Sequence, residues 1–178
     1  GLYAIPVEEY CAQYREEGRG VYEYTLNLPI DVKRELWRVL DEHVAEGVRL
    51  PYDYYHRGCA TTAIEFVKEA LGETVIVYDR SLYEHPHTAR EMYFEYTKPS
   101  MWMRFISVFI AGSETDIPHH NDRQLIVPVS LVHAWQQAKV NGEPLLASEP
   151  TVLVAGEPQT SNTWFTPMVL AVLLLVLS

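Results

Sequence analysis

The chain has 178 residues, 48% of them apolar and 21% charged, which is material for a real core and excludes a disordered acidic tail or a disulfide-stapled miniprotein. Its 24 acids against 14 bases leave a net charge of −10, which argues against nucleic acid as a partner, because phosphate binding needs a basic footprint. Two cysteines, Cys11 and Cys59, leave the redox compartment open, as a pair or as two free thiols.

Taken in chain order, Pro6 and the acids behind it open a short helix that Gly18 closes. Residues 21–28, rich in Tyr, Val, Thr and Leu, predict a strand. Residues 31–46 predict an amphipathic helix with Val32, Leu36, Val39, Leu40 and Val44 on one face and Gly47 at its end. His43 falls at the boundary of that face. After an extended aromatic approach at 51–56 and a turn at Arg57-Gly58, a helix runs over 59–71 and closes at Gly72. A strand follows over 73–78. Thr88-Ala89-Arg90-Glu91 is a capping box that opens another helix. A helix over 101–111, a polar loop over 113–122, a short helix over 130–139 and two brief β-like runs over 144–155 complete the body. The expected class is α+β, with helices outnumbering strands, over residues 1–156.

Residues 157–163 then read as a polar linker. Behind it lies an uncharged apolar run from Met168 to Leu177, entered through Trp164 and Phe165. A membrane-spanning helix takes ~20 apolar residues, so 164–178 predicts the start of one, with Trp164 as an interfacial anchor. Residues 140–163 hold no Lys or Arg, whereas cytoplasmic flanks usually carry an excess, so the body is expected on the extracytoplasmic side. Trp37, Trp102 and Trp135 most simply suit core or interface; the alternative for Trp102-Met103-Arg104-Phe105 is a lipid-facing surface near the membrane.

The chemistry concentrates in Tyr52-Asp53-Tyr54-Tyr55-His56-Arg57-Gly58-Cys59-Ala60. A cysteine in the first turn of a helix meets unpaired backbone N–H groups and the positive end of the helix dipole, which favour a thiolate. Gly58 allows close backbone approach to a ligand. The N–H groups of Cys59 and Ala60 are candidate oxyanion donors. Thiol acyltransferases and peptidases combine such a cysteine with a histidine base. Asp53, Tyr55, His56 and Arg57 are candidate site-lining residues. His85, His87 and the pair His119-His120, near Asp116 and Asp122, lack the spacing of a metal site. No cofactor motif is present, and neither metal nor cofactor is expected.

The run Gly18-Arg19-Gly20-Val21-Tyr22-Glu23-Tyr24-Thr25-Leu26-Asn27-Leu28, the helix behind it, then Tyr52-Asp53-Tyr54 and Cys59-Ala60-Thr61, resembles the Lnb N-terminal periplasmic domain of bacterial envelope proteins, especially of the Bacteroides group. Arg90-Glu91, Gly112 with Asp116, Val127-Pro128-Val129-Ser130-Leu131 and Pro144-Leu145-Leu146 continue the likeness over nearly the whole chain. The resemblance implies a permuted papain-like fold related to NlpC/P60 peptidases. It implies thiol-dependent N-acylation of bacterial lipoproteins through an acyl-enzyme on Cys59, with membrane lipid as acyl donor and the lipoprotein as acceptor. It places the protein in the bacterial envelope. The family's base is a histidine in a Gly-His-Thr element that precedes this cysteine segment and falls upstream of residue 1. The body is therefore expected to be incomplete at its N-terminus, and this chain by itself inactive. Members often carry Asn before the cysteine, where this chain has Gly58. Two other readings stand beside this one: a cysteine peptidase or amidase of the envelope, and a non-catalytic interaction module.

Overall fold

The computed structural model describes residues 4–47, 53, 57–84, 86–97, 100–110 (backbone alone at 109 and 110), 112–119, 121–147, 149–157 and 165–177. The fold is α+β. Helices α1 (Val7–Glu16), α2 (Ile30–Ala45), α3 (Cys59–Leu71), α4 (Ser81–Glu84), α5 (Ala89–Tyr96), α6 (Met101–Ile110), α7 (Pro128–Gln137) and α8 (Pro167–Leu177) are joined by short strands β1 (Val21–Glu23), β2 (Ile76–Val77), β3 (Lys139–Val140), β4 (Glu143–Pro144) and β5 (Thr151–Val154).

Two small antiparallel sheets are present among the described residues, β1 with β5 and β2-β3-β4 in that order. The core forms where α3 lies against the second sheet. Ala60, Ile64, Val67 and Leu71 of α3 cluster with Ile76, Val140 and Leu145, and with Leu131 and Trp135 of α7. Leu145 is fully buried. Helix α2 packs on α3, where the half-buried His43 ring meets Phe66 edge-on at 5.1 Å. That contact follows from the apolar stripe of α2 turning inward and carrying His43 at its margin.

The expected strand over 21–28 is divided. Residues 21–23 pair with β5, while Leu26 makes an isolated bridge to Leu146 and Asn27 N–H donates to the Leu145 carbonyl at 2.7 Å. One stretch of sequence therefore serves two partners, and its ladder is interrupted between them. Gly20 and Gly156 explain the entry into β1. An added Cβ on Gly156 would lie 2.8 Å from the Gly20 nitrogen, so the two backbones cross where only glycine fits. The expected strand over 73–78 is reduced to two residues, and the polar loop over 113–122 contains a 3₁₀ turn, Ser113–Asp116, and opens a second, Asp122–Gln124. Helix α7 begins at Pro128, ahead of the expected 130, because proline's fixed φ suits the first helical turn.

Helix α8 has 11 residues, about 16 Å at 1.5 Å per residue, against a bilayer core of about 30 Å. Among the described residues no helix is long and apolar enough to cross a membrane. Helix α8 contacts α6: the Trp102 indole N–H donates to the Phe165 carbonyl at 2.7 Å, and the two rings stack 5.6 Å apart.

Candidate functional site

Gly58 is the N-cap of α3, with φ −94° and ψ −172°. The first helical bond runs from Thr62 N–H to the Gly58 carbonyl at 3.0 Å, and the Thr61 hydroxyl donates to the same carbonyl at 3.1 Å. The N–H groups of Cys59, Ala60 and Thr61 therefore precede any i→i−4 partner. Cys59 is exposed and its thiol is free, while Ala60, one step along the helix, is buried in the core. An exposed sulfur at the start of a helix whose inner face is buried, beside N–H groups without helical partners, has a geometry suited to nucleophilic attack on a carbonyl carbon.

Gly58 is itself buried, yet its backbone is extended, a conformation any residue adopts. An added Cβ would meet only the Ile126 carbonyl oxygen, at 4.0 Å. Within the protein itself, position 58 therefore has room for a side chain.

Asp53 and Arg57 exchange both backbone hydrogen bonds, at 2.9 and 3.2 Å, and so turn the chain into α3. The Arg57 guanidinium pairs with Glu65 at 3.1 Å, two turns along α3. It lines a cleft of about 410 Å³ with Thr61, Lys68, Asp122 and Arg123. Lys68 pairs with Asp122 across that cleft. Cys59 does not line it. Arg57 is accordingly committed to the flank of α3 and not to the sulfur. Tyr55 and His56, expected at the site, lie outside the described residues, as do His85, His120 and Trp164.

No hydrogen bond joins Cys59 to a described histidine. The His43 Nδ1 lies 2.8 Å from the Val39 carbonyl, and its partner Phe66 stands seven residues beyond Cys59, about 10 Å along the helix. His87 and His133 line a different cavity. Among the described residues no group of three or more His, Cys, Asp or Glu could hold a metal ion.

That cavity, about 770 Å³, opens among α4, α5, α7 and Arg104 of α6, with Tyr78, His87, Glu91, Gln124 and His133 on its wall. Sequence reasoning did not find it. Gln124 holds it together: its side chain donates to the Leu82 carbonyl at 2.7 Å and accepts from His87 N–H at 3.1 Å. A glutamine in a polar stretch reads as surface, so nothing in the pattern marks Gln124 as buried. The Tyr78 ring is buried, and that burial pushes its hydroxyl pKa well above the ordinary phenol value.

Two elements far apart in sequence do meet. Arg90 of α5 forms a two-pronged pair with Asp116, at 2.5 and 3.1 Å, and its guanidinium reaches the Gly112 carbonyl at 3.5 Å. This joins the Arg90-Glu91 element to the Gly112–Asp116 element, and the arginine holds the Asp116 carboxyl below its usual pKa. Compared with known proteins, the chain matches no family model, no curated protein and no solved structure.

Proposed function

We propose that the protein is a thiol-dependent acyltransferase of the bacterial envelope, with Cys59 as the nucleophile. The observation that carries this reading is the exposed, free thiol at the N-terminus of a buried helix. The permuted papain-like arrangement, likewise proposed, is supported by that helix lying against a small antiparallel sheet. The substrates come from the resemblance: an ester-linked acyl chain of a membrane lipid as donor, and the α-amine of a lipoprotein's lipidated N-terminal cysteine as acceptor. The apolar segment 165–177 would hold the body at the membrane, on its extracytoplasmic side.

In the first step the Cys59 thiolate attacks the ester carbonyl. The C–S bond forms, the C–O bond breaks, and the departing lyso-lipid oxygen takes the proton that the base removed from the thiol. In the second step the lipoprotein amine attacks the thioester. The amide C–N bond forms, the C–S bond breaks, the amine proton passes to the base, and the thiolate returns. The N–H groups of Cys59 and Ala60 would face the oxyanion in both steps. No described side chain is placed as the base, and this reading assigns that role to the histidine of the resembled family.

The second reading is a non-catalytic interaction module, in which Cys59 carries no acyl chain. Replacing Cys59 by Ala in the intact protein separates the two. The acyltransferase reading expects lipoproteins from such cells to lose the N-linked acyl chain by mass spectrometry. Unchanged acylation would refute it.

A further inference from the structure

Helix α6 leaves most of its apolar side chains exposed. At ~100° per residue, Met101, Trp102, Met103, Phe105, Ile106 and Val108 cover roughly two-thirds of its circumference, leaving one sector to Arg104 and Ser107. In a helix packed on a core, the apolar arc faces inward. Here Trp102 and Ser107 are the half-buried side chains, and Arg104, itself exposed, lays its guanidinium over the Phe94 ring of α5 at 4.5 Å and lines the large cavity. The apolar arc faces out, with Met103 55% and Phe105 51% exposed.

The neighbouring helix narrows the choice of what covers that arc. Every residue of α8 from Ala171 to Leu177 is exposed, and together these side chains point to all sides. A protein groove, or a second copy packed on one face, would leave the other faces in water. An apolar medium that surrounds α8 covers all of its faces at once. Helix α6 is fastened to the start of α8 by the Trp102 hydrogen bond and ring stack with Phe165, so its apolar arc continues the same surface. An amphipathic helix beside a membrane anchor, carrying Trp and Phe, has the composition of one that lies in the interface plane.

We infer that α6 is a second membrane contact, lying along the bilayer surface with Met101, Met103, Phe105 and Ile106 among the lipid chains and Trp102 joining it to the anchor. Arg104 is the one charged side chain in residues 101–110 and 165–177, so attraction to anionic headgroups contributes little and zwitterionic lipid suffices. The inference rests on the proposed membrane anchoring of 165–177, and not on the chemistry assigned to Cys59.

The test places a nitroxide on Met103→Cys, in the full chain carrying Cys59→Ser, with Trp37→Cys on the exposed face of α2 as the reference site. On phosphatidylcholine vesicles, the label at 103 is expected to become accessible to oxygen and shielded from a water-soluble nickel chelate, while the label at 37 stays open to the chelate. A chain that fails to float with the vesicles, or a label at 103 as open to nickel as the one at 37, overturns the inference. The double variant Met103→Glu, Phe105→Glu, with unchanged far-UV circular dichroism, is expected to lower vesicle partitioning about tenfold to a hundredfold. Unchanged partitioning overturns the inference, as does a variant whose sole effect is to dissolve a lipid-free dimer; the latter would assign α6 to a second copy of the chain.

Discussion

Cys59 and Cys11 differ in what surrounds the sulfur. Cys11 is buried in α1, where a thiol acts as a small apolar side chain, and Cys59 stands exposed ahead of the first helical hydrogen bond. That contrast is legible in part from the sequence. The glycine before Cys59 and the helical spacing behind it mark the start of α3, but exposure depends on which side of the helix meets the sheet. Residue type likewise does not reveal φ, and at Gly58 φ is ordinary. With open space for a Cβ and an N-cap geometry that lacks a capping side chain, Gly58→Asn is expected to fold and to be more stable by up to about 1 kcal/mol in urea unfolding. A loss of more than that amount would show that the position does require glycine.

At the scale of elements, helices with strong periodicity are legible within a residue or two. Helix α3 runs over 59–71 as expected, and α2 over 30–45 against an expected 31–46. The strands are less legible, because a β-like run does not state its partner. Residues 21–28 look continuous, yet their hydrogen bonds go first to β5 and then to Leu145 and Leu146. The crossing that sets this split can be tested at Gly156. Alanine there meets backbone 2.8 Å away, and the expected loss is about 1–3 kcal/mol, read from the urea midpoint. The Arg90–Asp116 pair makes a different prediction. Arg90 lowers the folded pKa of Asp116 below its unfolded value. The pair's contribution is therefore full above the unfolded value, about 3.9, and is lost as pH falls through the folded one. Asp116→Asn is expected to flatten the fall in urea midpoint between about pH 4 and pH 2. A variant as acid-sensitive as the parent would show that the pair contributes nothing there.

Over the whole molecule, the α+β class and the apolar character of 168–177 are legible from composition and pattern. The large cavity of His87, Gln124 and His133 is not, because its walls come from five separate elements and no local motif unites them. The outward direction of α6 is legible only as one of two alternatives, because its apolar residues suit a core and a lipid surface alike. These features fit together as a body with an exposed free thiol at a helix N-terminus and, as proposed, an apolar surface for lipid to cover. The central claim is that the thiol bears the acyl chain. The intact protein should be extracted into acid and its Cys59-containing peptide weighed, before and after neutral hydroxylamine. The account predicts a mass increase of one fatty acyl group on Cys59 that hydroxylamine removes, and its absence from the Cys59→Ser protein after the same treatment. A Cys59 peptide that stays unmodified while lipoproteins in the same cells become N-acylated would contradict it.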